Sequence, residues 1–279
     1  GPWAGMKIVH TIHGLPFHPY GRAAANLLYI LLERQAARHT DALISVADAM
    51  TRQALAAGVG TPDQYTTIYS GMEIKDYLTR PAGVEEFRGS LGLADEDVLV
   101  TQVARLAELK GHEYILAAAE RLGDPHLHFC FVGDGRRRGR IERAVRRAGL
   151  QPRVHFTGLL PPRDIPVVMH ASQIIVHCSL REGLARTLPQ AMLAGKPVVS
   201  FDVDGAREVV DADTGVLLEP RDVPGLKLAI ETLARAPQLG ARLGGAGRDR
   251  AAGIFDHERM VDRIEGLYGD LCRGMDLDS

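Results

Sequence analysis

Short apolar runs alternate with longer stretches of helical spacing along most of the chain. From Asp97 onward the order is regular. "DVLVTQVARL" is apolar and β-branched, "HEYILAAAERL" has apolar residues at helical spacing, and "HLHFCFVGDG" is a strand ending at glycines. "RIERAVRRAGL" predicts a helix ended by Gly149, which suits a C-cap. "RVHFTG", "QIIVHCS", "PVVSFD" and "TGVLLEP" predict further strands, with helices at "DIPVVMHAS", "LPQAMLAG" and "VPGLKLAIETLARA". Buried apolar strands separated by crossover helices predict an α/β fold with a doubly wound parallel sheet.

The first 72 residues repeat the theme on a smaller scale. Strands are expected at "KIVHTIH", "DALISVA" and "YTTIYSG", with helices at "AAANLLYILLERQAARH" and "ADAMTRQALAAG". Three strands and two helices cannot cover both faces of an open sheet. The expected organisation is a partial lobe at 1–72, a connection at 73–96, a complete domain at 97–254, and at 255–279 an amphipathic helix packing back across the lobes. The amino-terminal lobe reads as the second half of a domain whose first half is missing, and an exposed half-sheet invites self-association.

Composition narrows the function. The chain has 279 residues and a net charge of −2, so bulk charge indicates no nucleic-acid partner. No apolar run reaches the roughly 18 residues of a membrane span. The three widely spaced cysteines argue for a reducing cytoplasm rather than a disulfide framework, and Cys130 is expected as a small core residue. Gly1-Pro2 reads as a cleavage scar.

Two segments carry candidate chemistry, both just beyond the carboxyl ends of predicted strands, where open parallel sheets bind ligands. In "SLREGLARTLPQAMLAGKPVVSF", Glu182 could accept hydrogen bonds from sugar hydroxyls and Gly183 permits close backbone approach. The helix that follows offers amide N–H groups to a phosphate, and Gln190 could reach a ribose. In "VARLAELKGHEYI", Arg105 and Lys110 bracket a loop and suit a diphosphate. The alternative is a capped loop with solvated polar residues and a surface cation pair.

The segments "RLAELKG", "FVGDG", "VHFTGLLP" and "EGLARTLPQAMLAGKPVV", in that order, resemble the family 4 glycosyltransferases. "VHTIHGLPFHPY" and "ISVADAM" followed by "YSGMEIKDY" are similar to that family's amino-terminal domain. The resemblance implies a GT-B architecture, two Rossmann-like domains, and transfer of a sugar from a nucleotide-diphosphate donor with retention of configuration. It implies that Arg105 and Lys110 bind the diphosphate, that Gly133, Asp134 and Gly135 line the nucleotide pocket, and that Leu159 and Leu160 lie near the base. Glu182 would touch the donor sugar beside the amides of Gly183 and Leu184. His13 would face that sugar from the other lobe, and Glu208 would give structural support. The expected partners are a UDP- or GDP-sugar donor and a glycan, lipid or small-molecule acceptor, with no metal and no cofactor. The work would lie in the cytoplasm, including the inner face of a membrane as a peripheral location. Two features depart from the family. Gln190 stands where a second glutamate is usual, and roughly 100 residues of the family's first domain, half an α/β domain, are absent.

Other readings stay open. A donor-binding subunit would leave the acceptor half to another chain. A nucleotide-sugar epimerase of the same architecture would need no acceptor. A phosphorylase would need inorganic phosphate or a cofactor, and no lysine is placed for pyridoxal phosphate. "GDGRRRG" lacks the dinucleotide-binding spacing. "DVD" at 202–204 and "DAD" at 211–213 read as loop chemistry. His10, His13 and His18 have no accompanying cluster of ligands, so no metal site is assigned. Arg136, Arg140, Arg143 and Arg147 share one helical face. Without aromatic interleaving, and with Glu142 breaking the run, this face reads as solvated, against a membrane-surface or nucleic-acid patch.

Overall fold

The computed structural model of the protein describes residues 6–273, so the Gly1-Pro2 pair lies outside them. The chain divides into two compact units. One comprises residues 1–72, 182–184 and 254–279; the other comprises 73–181 and 185–253.

In the first unit, strands β1 (Val9–Ile12), β2 (Ala42–Ser45) and β3 (Tyr65–Thr67) form a parallel sheet in that order. All four residues of the central β2 are buried, as its apolar run predicts. The helix Ala23–Ala37 follows β1. Its leucines at 27, 28, 31 and 32 are all more than half exposed. The carboxyl-terminal helix His257–Arg273 is tied on through its start. The Met72 amide donates to the Phe255 carbonyl (2.9 Å), and the His257 amide donates to that of Met72 (3.2 Å). Gly71 is needed there, because a Cβ would lie 2.5 Å from the His257 Cα. The amphipathic stripe Met260, Ile264, Leu267 and Leu271 is only half-buried within this unit.

In the second unit, β4 (Val98–Val103), β5 (Leu127–Val132), β6 (Val154–Gly158), β7 (Ile174–His177), β8 (Val198–Phe201) and β9 (Gly215–Leu218) form a six-stranded sheet. Its order is β6-β5-β4-β7-β8-β9, all parallel. The doubly wound reading therefore holds, and the order reverses between β4 and β7, the place at which open parallel sheets bind ligands. Side-chain alternation feeds both faces. Phe129 and Phe131 enter a large cluster with Ile115, Ile174, Phe201 and Leu226. Cys130 and Val132 enter a smaller one with Leu99 and Val168. Cys130 is fully buried, and burial pushes its thiol up to about 12.

Two features depart from expectation. Residues 73–96 are not a bare connection but hold the helices Lys75–Leu78 and Val84–Ser90, packed on Ile165–Ala171 within the second unit. Arg88 fixes them: its buried guanidinium donates to the carbonyls of Ala171, Ala94 and Asp97 and to the Gln173 side chain. The other is a helix at Pro237–Ile254, hidden in the sequence by its glycines. Gly244 abuts the carbonyl of Gly195, where a Cβ would sit at 2.0 Å. Close packing there overrides glycine's poor helix propensity.

Candidate functional site

At the switch point, the loop after β4 and the loop after β7 are stitched together by their backbones. The Leu109 carbonyl accepts from the Leu180 amide (2.8 Å) and the Ser179 hydroxyl (3.1 Å). Leu109 itself adopts a left-handed φ of 64°. Gly111 is left-handed as well, at 74°, and a Cβ there would lie 1.9 Å from the Cys178 carbonyl oxygen. Only glycine lets the two loops approach so closely.

Gln102, near the carboxyl end of β4 and almost fully buried, holds both loops from below. Its amide nitrogen donates to the Lys110 carbonyl (2.8 Å), and its oxygen accepts from the Cys178 amide (3.4 Å). The same nitrogen lies 3.3 Å from Nε2 of His112. An amide nitrogen can only donate, so His112 accepts on Nε2 and carries its proton on Nδ1. Burial, with help from the charges of Lys110, Arg137 and His177, lowers the His112 pKa to about 4. His112 is thus neutral, in a field to which two permanent cations contribute. Neither Gln102 nor His112 stands out in the sequence as a candidate residue. The available signal was a polar side chain inside an apolar strand, since such a group needs a buried partner.

The predicted diphosphate cations both lie on this pinned loop. Arg105 is exposed, and its side chain has no ion pair or hydrogen bond among the described residues. Lys110 is half-buried, one residue before the left-handed Gly111. Gly133, Asp134 and Gly135 shape the same loop from β5. A Cβ on Gly133 would lie 2.3 Å from the Ala104 carbonyl oxygen, and one on Gly135 2.5 Å from that of Leu106. The Leu106 amide donates to the Asp134 carbonyl (3.0 Å), while the Asp134 carboxylate accepts from the Gly135 amide (2.7 Å). Leu159 and Leu160 part company: Leu159 is 81% exposed, whereas Leu160 packs on the smaller core cluster.

The helix expected after Glu182 begins at Thr187 and runs only to Leu193. The Thr187 hydroxyl anchors it to the Val103 carbonyl (3.2 Å). Gln190 hydrogen-bonds the Tyr77 side chain, so its amide already has a protein partner. Glu182, Gly183 and Leu184 group with the first unit, which also holds His13. There the exposed His13 follows β1, and a Cβ on Gly183 would lie 2.1 Å from its carbonyl oxygen. The close approach predicted for Gly183 is made to this backbone.

The aspartate triplets are engaged in their loops. Asp202 pairs with Arg207. Asp211 accepts from the Thr214 hydroxyl and the Asp213 amide, and pairs with Arg250 at 3.1 Å. Arg250 also binds the carbonyls of Glu208 and Val209, so the Glu208 segment is held by its backbone. Among the described residues no group of three or more His, Cys, Asp or Glu side chains could hold a metal ion. No helix of the described residues is long and apolar enough to cross a membrane.

Comparison with known proteins names the class. A family model described as glycosyl transferases group 1 matches residues 83–250, and the chain belongs to that family. It is 38% identical over 207 residues to the 2-deoxystreptamine N-acetyl-D-glucosaminyltransferase of Streptomyces fradiae, covering 68% of this chain and 48% of that protein. It is 32% identical over 233 residues to the 2-deoxystreptamine glucosyltransferase of Streptomyces kanamyceticus, covering 82% and 60%. The chain thus spans about half to three-fifths of these two relatives' lengths. Among solved structures, Anabaena Alr3699/HepE in complex with UDP-glucose superposes with a TM-score of 0.86 at 28% identity, covering 95% of this chain and 72% of that one. The two sheets are of the GT-B type.

Proposed function

We propose that the protein takes a sugar from a UDP-sugar and transfers it, with retention of configuration, to a hydroxyl of a glycan, lipid or small-molecule acceptor. The observation that carries this reading is the loop Arg105–Lys110. It presents an unpaired guanidinium and an ammonium at the switch point of a parallel sheet, on a backbone pinned by Gln102, Leu109 and Gly111. The UDP-glucose complex of HepE supports uridine as the base. The names of the two Streptomyces relatives support a polyhydroxylated acceptor.

In this reading the bond between the sugar's anomeric carbon and the diphosphate oxygen breaks first, leaving an oxocarbenium-like centre. Arg105 and Lys110 stabilise the charge gathering on the departing diphosphate, and their fixed loop spends nothing on reorganisation. The acceptor hydroxyl attacks the same face, and its proton passes to the leaving phosphate oxygen. The products are the α-linked glycoside, from an α-linked donor, and UDP. Gly133–Gly135 serve as the floor of the nucleotide pocket and Leu159 as an apolar contact for the base. Glu182, His13 and the Gly183 and Leu184 amides are assigned to the donor sugar by resemblance. No metal or cofactor enters the scheme.

The test is a transfer assay with UDP-glucose and a panel of acceptors, read by the anomeric coupling in the product's proton spectrum. An α-configured product is expected. A β-configured product would overturn retention, and an epimerised sugar formed without acceptor would favour the epimerase reading.

A further inference from the structure

The helix Arg138–Arg147 in the second unit sorts its arginines into two sets. Ile141 and Val145 are buried and fasten it to the large core cluster. Arg137 and Arg138 take the nearby acids. Arg138 holds Glu142 at 2.9 Å and Asp134 at 3.4 Å, and Arg137 faces Glu113 at 3.8 Å. Glu142, which interrupts the basic run in the sequence, is therefore spent on Arg138. Arg140, Arg143 and Arg147 are left exposed, with no ion pair or hydrogen bond among the described residues. At 3.6 residues per turn they fall within an arc of about 60°, on the side away from Ile141 and Val145. Arg136, just before the helix, is also exposed and unpaired and extends the stripe. Two acids of the adjoining helix border the stripe: Glu113 and Glu120 line a hollow with Arg140, and Glu120 also lies beside Arg147. Four unpaired guanidinia on a chain whose net charge is −2 form a local positive surface that bulk charge conceals.

We propose that this arginine stripe docks the protein on an anionic phospholipid bilayer. Each guanidinium can donate to two phosphate oxygens at once, which suits a surface of lipid phosphates. A nucleic acid fits less well. Residues 136–150 contain no aromatic side chain to stack on bases. The docking needs only this helix, so it stands apart from the transfer reaction.

The experiment is co-sedimentation of the protein with vesicles of pure phosphatidylcholine, and with vesicles carrying about 30% phosphatidylglycerol, at low ionic strength where such attraction is least screened. Binding is expected only to the anionic vesicles and should fade with added salt. The triple variant Arg140→Gln, Arg143→Gln, Arg147→Gln should lose roughly 100-fold in partition, from three charges near the surface. It should keep its melting temperature and UDP affinity. Lysine at the same three positions should restore most of the binding. Equal partition of wild type into both vesicle types, unchanged binding by the triple variant, or tight binding of duplex DNA without vesicle binding would each overturn the proposal.

Discussion

Gln102 and Gly111 decide whether the cationic loop is a site or a flexible surface segment. Replacing Gln102 by leucine would leave the Lys110 carbonyl and the Cys178 amide without their buried partner. Each orphaned group costs about 1–3 kcal/mol. Urea denaturation should therefore show a loss of at least about 2 kcal/mol, and UDP affinity should fall with it. Gly111→Ala should do more damage, because its Cβ would sit inside contact distance of the Cys178 oxygen at a left-handed φ. By contrast, Arg105→Ala should leave stability unchanged, since nothing in the fold rests on that side chain. It should weaken UDP binding roughly 10- to 100-fold, the value of a charge-assisted hydrogen bond. That Arg105 and Lys110 follow a strand end could be read from the sequence, because the apolar run of β4 stops just before them. The roles of Gln102 and His112 could not, because they depend on which backbone atoms the fold places beside them. Gln190 was legible as an unusual residue, but its bond to Tyr77 comes from a helix that the sequence did not reveal.

Among the elements, the helix Pro237–Ile254 separates propensity from packing. Gly244 faces the Gly195 carbonyl at a distance no Cβ allows, whereas a Cβ on Gly245 would meet nothing within 4 Å. Gly245→Ala should stabilise the protein by about 1 kcal/mol through helix propensity alone. Gly244→Ala should destabilise it despite the same gain, and denaturant midpoints of the two variants will show the opposite signs. The strands β2, β5, β7 and β8 could be read from their apolar runs, because a strand buried on both faces has no polar face to confuse the pattern. This helix escaped notice because glycines that serve close packing look, in sequence, like a loop. The helices at 75–90 escaped for a related reason: Arg88 is a buried anchor, yet an arginine amid charged residues looks solvated.

For the whole molecule, buried histidines set the response to acid. His112 is depressed to about 4, chiefly by burial, and burial also lowers His128 and His155. His128 Nδ1 and His155 Nε2 share a contact of 3.0 Å that only one proton can occupy. The unfolded chain binds protons at these groups near pH 6.5, while the folded chain resists doing so. Stability is therefore full above the ordinary histidine pKa and is lost as pH falls toward 4. His112 alone accounts for up to about 3 kcal/mol of that loss. The exposed His126, raised by its bond to Asp97, works in the opposite sense. Melting temperatures from pH 7.5 to 4.5 should fall steeply, and less steeply in His112→Gln once its lower starting stability is subtracted.

The claim that joins these scales is that the loop at the β4–β7 switch point binds the diphosphate of a uridine nucleotide. Titration calorimetry of UDP into the protein and into its Arg105→Ala, Lys110→Ala variant addresses it directly. The account predicts binding by the parent chain and a loss of at least about 100-fold in the double variant, two charge-assisted contacts being removed. Equal UDP affinity in both proteins, with both shown to be folded, would place the diphosphate elsewhere and contradict it.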